Sequence, residues 1–203
     1  MYSPQFQSGA ARIAGPAFTV KFVPKDDIIH PKPAGHYSGL RALLQEIAHS
    51  FSSQIDQVPK DSVIFISQPR PHINAVFGGL MALRAHKLGT AGVVIDGRLR
   101  DLQDHRALGL PVFARAVGTT AGGAVCRPSE VNVPIRFSSE IQEAWIRPGD
   151  FIIADLNGVV SLPKELAEPV LDIIPRIVEA DRKCADSIEQ GRSVEEVFKE
   201  FRT

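Results

Sequence analysis

Cysteine is scarce in this chain. Two residues in 203, Cys126 and Cys184, are too few and too far apart for a disulfide framework or a cysteine-held metal centre. The reduced cytosol is therefore the expected compartment. An excess of charge of either sign is also missing. The 23 basic and 23 acidic side chains cancel, which removes any general electrostatic grip on nucleic acid. No apolar run reaches the roughly 18 residues of a membrane span. The polar N-terminus lacks the apolar centre of a signal peptide. Walker loops, GxGxxG fingerprints, GxSxG elbows and HExxH pairs are all absent. Their absence gives no support to a nucleotide loop, a methyltransferase-type cofactor loop, a serine hydrolase or a zincin. There is no internal repeat and no low-complexity tract. A hydrophobic content of 44% excludes a disordered chain. The length suits one domain over residues 1–203, with 1–12 as a loose polar arm.

Periodicity predicts the elements. Phe18, Val20 and Phe22 alternate with polar residues and predict a half-buried strand over Ala17 to Val23 that ends at Pro24. Lys25 to Gly35 reads as a loop. Leu40, Leu43, Leu44 and Ile47 predict a short helix over Ser38 to Ala48. Apolar runs predict buried strands at Val63 to Ile66, Gly92 to Asp96 and Val112 to Ala114. Helices are expected between them, from Gly79 to a left-handed Gly89 and from Asp101 to Leu108. This alternation favours an α/β fold. Gly118 to Gly123 is small and suits an active-site loop. Asn132 to Phe137 reads as a strand. Asn157-Gly158 predicts a hairpin between Phe151 to Ala154 and Val159 to Leu162. Pro163 suits the first turn of a helix, which Pro169 and Pro175 are expected to break or kink. Ser193 and Glu196 form a capping-box pattern for a last helix.

The chemistry concentrates between Phe77 and Asp104. Gly78 and Gly79 let a ligand approach the backbone, and a helix starting there offers free N–H groups to an anion. Arg100 can fork onto a carboxylate, and Asp101 can hold a divalent cation. Each feature also has a structural reading. The glycine pair serves a tight turn, and Asp101 serves as the cap of the helix it opens, with Asp104 three residues on. The six histidines, His30, His36, His49, His72, His86 and His105, show no ligand spacing and read as surface or loop residues. Asp155 reads as a turn residue.

Gly79, twenty residues, Arg100-Asp101, two residues and Asp104 together resemble the G-x20-R-D-x2-E/D signature of the RraA-like family. The first position of that signature also admits aspartate. Ala14-Gly15-Pro16-Ala17, Asn74 to Met81, Asp96-Gly97-Arg98, Gly109 to Arg115 and Pro148-Gly149-Asp150 extend the resemblance. The family includes 4-hydroxy-4-methyl-2-oxoglutarate aldolases and oxaloacetate decarboxylases. The resemblance implies a compact α/β sandwich, central β-sheets flanked by helices, like the swivelling phosphohistidine domains. It implies a homotrimer or hexamer with sites between subunits. It further implies a lyase that cleaves a small 2-oxo acid through a pyruvate enolate stabilised by Mg2+ or Mn2+. In that scheme Asp101 holds the metal, Asp104 orders its water, and Arg100 binds a substrate oxygen. Backbone at Gly78, Gly79, Leu80 and Met81 receives the substrate carboxylate. A neighbouring subunit donates an acid from its C-terminal helix, for which Glu179 is the residue suggested here. Two departures stand out: relatives often carry an acid where this chain has Gly79, and a fuller N-terminal helical segment where it has a polar arm. RraA itself regulates ribonuclease E by contact, so a non-catalytic binding protein is the alternative. A relative adapted to another metal-bound enolate is a third.

Overall fold

A computed structural model describes residues 11–31, 55–137 and 143–202. The expected helix over Ser38 to Ala48, and all but the last residues of the N-terminal arm, lie outside these residues. The chain divides into two compact units, one ending at Pro163 and one spanning Lys164–Thr203.

The first unit is built on β1 (Ile13–Pro24), which is twelve residues long and serves two neighbourhoods. Its first residues, Ile13 to Pro16, pair antiparallel with β8 (Phe151–Asp155). Its later residues pair parallel with β2 (Val63–Ser67) and antiparallel with β5 (Cys126–Val131). β3 (Gly92–Leu99) and β4 (Val112–Val117) continue the parallel part. β9 (Gly158–Leu162) closes the other side, giving the order β4-β3-β2-β1-β8-β9 with β5 also on β1. β6 (Ile135–Phe137) and β7 (Ala144–Ile146) form a separate antiparallel ribbon. The crossovers are α1 (Gly79–Lys87) between β2 and β3, and α2 (Leu102–Leu108) between β3 and β4.

Both faces of the parallel strands are covered, so their sequences are continuously apolar rather than alternating. Ile64, Ile66, Val93 and Ile95 face a cluster containing Ala82 and Ala85 of α1. Val63, Phe65, Val94 and Phe113 face the opposite cluster, with Ile135 and Ile146 from the ribbon and Ile152 from β8.

Several boundaries differ from the sequence reading. β5 was not expected, because Pro128 and the polar Arg127, Ser129 and Glu130 hide it. The strand expected from Asn132 begins at Ile135, since Asn132 takes a left-handed turn with φ 53°. β7 is three residues long and gives too short a pattern to read.

In the second unit α3 (Ala167–Glu189) is one continuous helix, not a broken one. Pro169 sits in its first turn, where no N–H is needed. Pro175 lies within it, and the flanking turns carry the helix across the missing bond. α4 (Val194–Phe201) begins as the capping pattern predicts: Ser193 Oγ accepts from the Glu196 N–H at 3.3 Å. Ser193→Ala is expected to cost about 1 kcal/mol of α4 stability, read as a lower melting temperature by circular dichroism. An unchanged melt would remove the cap from the account.

Candidate functional site

The site is assembled where the chain leaves β3. Val76 and Phe77 run alongside its end: the Val76 N–H donates to the Arg98 carbonyl at 3.0 Å, and the Arg100 N–H to Phe77 at 3.0 Å. This pairing sets Gly78-Gly79 directly beside Arg100-Asp101. Asp101 then adopts φ 64°, ψ 48°, a left-handed conformation tolerated by aspartate, and turns the chain into α2. Its carbonyl accepts from the N–H groups of Asp104 and His105 at 3.1 and 3.3 Å.

The Asp101 side chain makes no capping bond to α2. It points back to the glycine pair, where Oδ2 accepts from the Gly79 N–H at 2.9 Å. The carboxylate thus sits at the first residue of α1, where the helix dipole favours a negative charge. The capping role considered from sequence is therefore corrected: Asp101 serves the start of α1 rather than the helix it opens. Arg100 Nη1 reaches both oxygens of the same carboxylate, at 3.0 and 2.8 Å. The Leu80 and Met81 N–H groups follow Gly79 in the first turn of α1, where intrahelical acceptors are lacking.

Both glycines are required by this packing. A Cβ on Gly78 would lie 2.6 Å from Asp101 Oδ2 and 3.1 Å from Arg100 Cζ. A Cβ on Gly79 would run into the Asp104 carboxylate. Gly79 and Asp104, two of the signature residues, are therefore in close contact.

His105 holds the turn from behind. It is 1% exposed and stacks on Phe77, with ring centroids 5.7 Å apart and planes 12° from parallel. Because a carbonyl only accepts, Nε2 carries the proton that bonds the Arg100 carbonyl at 2.8 Å. Burial pushes the pKa of the ring down, against the opposing pull of the Arg100 carbonyl, Asp101 and Asp104. Nδ1 is buried with no hydrogen-bond partner among the described residues. The reading of His105 as a surface residue is thus corrected; its position four residues after Asp101, on the same helical face, was the available signal.

A cavity of about 320 Å3 opens beside this cluster. Gly78, Leu80, Met81 and Arg100 line it from one side, and Ala121 to Gly123 from the other. The small loop singled out from sequence thus reaches the cavity. Phe22 and Cys126 complete an apolar wall that the sequence reading missed. Burial pushes the Cys126 thiol up to about 11, so it stays protonated and acts as wall rather than nucleophile. Among the described lining residues Arg100 is the charged one.

Glu179 lies on α3 in the C-terminal unit, exposed, and bonded to Arg182 at 2.8 and 3.0 Å. Those bonds, with Lys183 nearby, hold its carboxyl below the usual carboxylate range. Among the described residues no group of three or more His, Cys, Asp or Glu is placed to hold a metal. Asp101 and Asp104 are the hard oxygen donors at the site. Mg2+ is commonly bound through one or two carboxylates, with water and substrate oxygens completing its shell. The donor set fits such an ion on condition that Arg100 shares the Asp101 carboxylate. No helix among the described residues is long and apolar enough to cross a membrane.

Comparison with known proteins adds to this geometry. The family model described as RraA-like, Aldolase/RraA, matches residues 2–161. A protein of Halalkalibacterium halodurans named putative 4-hydroxy-4-methyl-2-oxoglutarate aldolase is 34% identical over 132 residues, 65% of this chain and 58% of that one. A crystal structure of an uncharacterized protein from Pseudomonas syringae superposes with a TM-score of 0.73 at 27% identity, over 96% of this chain and 80% of that one. The structure titled as the RNA-processing inhibitor RraA from Thermus thermophilis gives 0.55 at 25% identity, over 80% and 81%. Three of the curated relatives are matched over 57%, 28% and 58% of their own lengths.

Proposed function

Because the chain belongs to the RraA-like family, we propose that it is a divalent-metal-dependent carbon–carbon lyase for small 2-oxo acids. The reaction would be retro-aldol cleavage of 4-hydroxy-4-methyl-2-oxoglutarate-like substrates, decarboxylation of oxaloacetate, or both. The observation that carries this reading is the Arg100–Asp101 pair seated against the Gly78-Gly79 backbone, with Arg100 in the wall of an apolar cavity. Leu80 and Met81 N–H groups would receive the substrate carboxylate at the positive end of α1. Arg100 would fork onto oxygens where charge develops during bond cleavage, a role suited to its planar donor set. The apolar lining would exclude water and strengthen both contacts. Asp101, with Asp104 beside it, would hold Mg2+ or Mn2+, which when bound supplies Lewis-acid stabilisation of the developing negative charge. A homotrimer or hexamer in the cytoplasm, with Glu179 reaching a neighbour's cavity, is part of the same proposal.

The test is pyruvate release from oxaloacetate and from 4-hydroxy-4-methyl-2-oxoglutarate, with Mg2+, with Mn2+ and with a chelator. Turnover that a chelator abolishes and either metal restores is expected. The absence of turnover on both substrates would favour the second reading, a regulatory binding protein, which the likeness to the RraA structure supports. Turnover undiminished by the chelator would overturn the metal dependence.

A further inference from the structure

A second cavity, of about 240 Å3, lies at the C-terminal ends of β2, β3 and β4 and shares no lining residue with the first. Open α/β sheets commonly place ligands outside the carboxyl ends of their strands. The cavity owes its shape to an irregularity in β3. β3 and β4 are in register from Val93 to Ile95, and the register shifts before Arg98. Such a bulge re-aims side chains and is over-represented beside binding sites. The residues it displaces, Asp96 and Gly97, both line the cavity.

A buried amide fixes the walls. Gln68 is 8% exposed; its Oε1 accepts from the Arg98 N–H at 2.8 Å, and its Nε2 donates to the Asn74 carbonyl at 2.6 Å. The Gln68 N–H donates to the Asp96 carbonyl at 3.1 Å. Gly97 is needed here, since a Cβ would run into the Gln68 side chain. The site is thus preorganised by side chains that hold backbone rather than ligand.

Its charge is unbalanced. Arg70, Arg98 and Arg115 line it, with Asp96 as the one carboxylate among the described lining residues. Asp96 is 4% exposed and accepts from Arg115 Nε, which offsets the Arg115 charge. Arg115 also stacks over Phe137, 5.1 Å from the ring centroid. Arg98 donates Nη1 to the Val117 carbonyl at 2.9 Å, a contact with a neutral group that orients the side chain and leaves its charge in place. Neither Arg98 nor Arg70 has a carboxylate partner among the described residues. His72 lines the same cavity.

We propose that this cavity binds the oxyanion group, carboxylate or phosphate, of a small metabolite. Arg98 and Arg70 supply the charge-assisted bonds. The site is separate from the proposed reaction centre, so its occupancy and the lyase reading stand or fall independently.

Calorimetric titration of the whole chain with inorganic phosphate, and separately with succinate, tests this. Binding of at least one probe is expected, and which one binds tells phosphate from dicarboxylate. The double variant Arg70→Ala, Arg98→Gln is expected to weaken binding about tenfold or more, as loss of charged hydrogen bonds does. Arg70→Ala alone, which removes an exposed side chain and so leaves folding aside, should weaken it in the same direction. Arg100→Lys, at the other cavity, should bind the probe as the parent does. The proposal is overturned if neither probe binds, if the folded variants of Arg70 and Arg98 bind normally, or if Arg100→Lys abolishes binding.

Discussion

Arg100→Lys is expected to cut pyruvate release about 100-fold or more, the usual cost of losing a donor that stabilises charge in the transition state. Lysine keeps the positive charge but not the planar fork. Arg100 in the structure spans both oxygens of Asp101 and lines the cavity at the same time. Nη1 alone meets both oxygens, so the rest of the planar guanidinium is left to face a ligand, which a lysine ammonium cannot do. Asp101→Asn is expected to act differently. Asparagine tolerates the left-handed backbone at position 101 and retains an oxygen for the Gly79 N–H. The fold should therefore survive, while the charge that would hold a divalent ion is lost. Its activity should need far more Mg2+ or Mn2+ for saturation. Titrating pyruvate release against metal in both variants separates the roles. If a folded Asp101→Asn follows the parent's metal curve, Asp101 is not the metal ligand and remains a structural partner of α1.

What could be read from sequence, and what could not, follows from how local each signal is. Val63 to Ile66 and Gly92 to Asp96 were legible because a strand buried on both faces is apolar at every position. Gly89 was legible because a left-handed helix end favours glycine, and it has φ 73°. Ser193 and Glu196 carried their cap in their spacing. β5 was hidden because its pairing with β1 spans about a hundred residues and is interrupted by a register shift at Lys21 and Phe22. In the site, the spacing of Gly79, Arg100, Asp101 and Asp104 marked the residues, but not where Asp101 points. That direction depends on the Phe77–Leu99 bridge, a tertiary feature. The same holds for Cys126 and Phe22, which reach the cavity from strands far away in sequence. Gln68 and His72 carry no pattern at all, so the second cavity was invisible before the bulge in β3 was seen.

Loss of His105 should be felt in stability. His105→Ala removes a fully buried ring that stacks on Phe77 and leaves the Arg100 carbonyl without its donor. Truncating a buried ring of this kind to alanine costs about 3–5 kcal/mol. His105→Phe keeps the stack and the volume and loses the N–H, so about 1–3 kcal/mol is expected. The pair of variants thus divides packing from hydrogen bonding. His105 also makes stability depend on pH. Burial lowers its pKa in the folded state, whereas the unfolded chain titrates near 6.5. Below that pH the unfolded state takes up a proton that the folded state resists. Stability should therefore fall as pH drops from about 6.5, by at most about 1.4 kcal/mol per pH unit from this residue, until the folded-state pKa is reached. Above that window the contribution is constant. His105→Phe cannot titrate, so its stability curve should be flatter than the parent's by that slope. Urea unfolding of both proteins between pH 5 and 8 makes the measurement. Equal slopes would mean that His105 does not remain neutral in its pocket, and the assignment of its proton to Nε2 alone would fall with it.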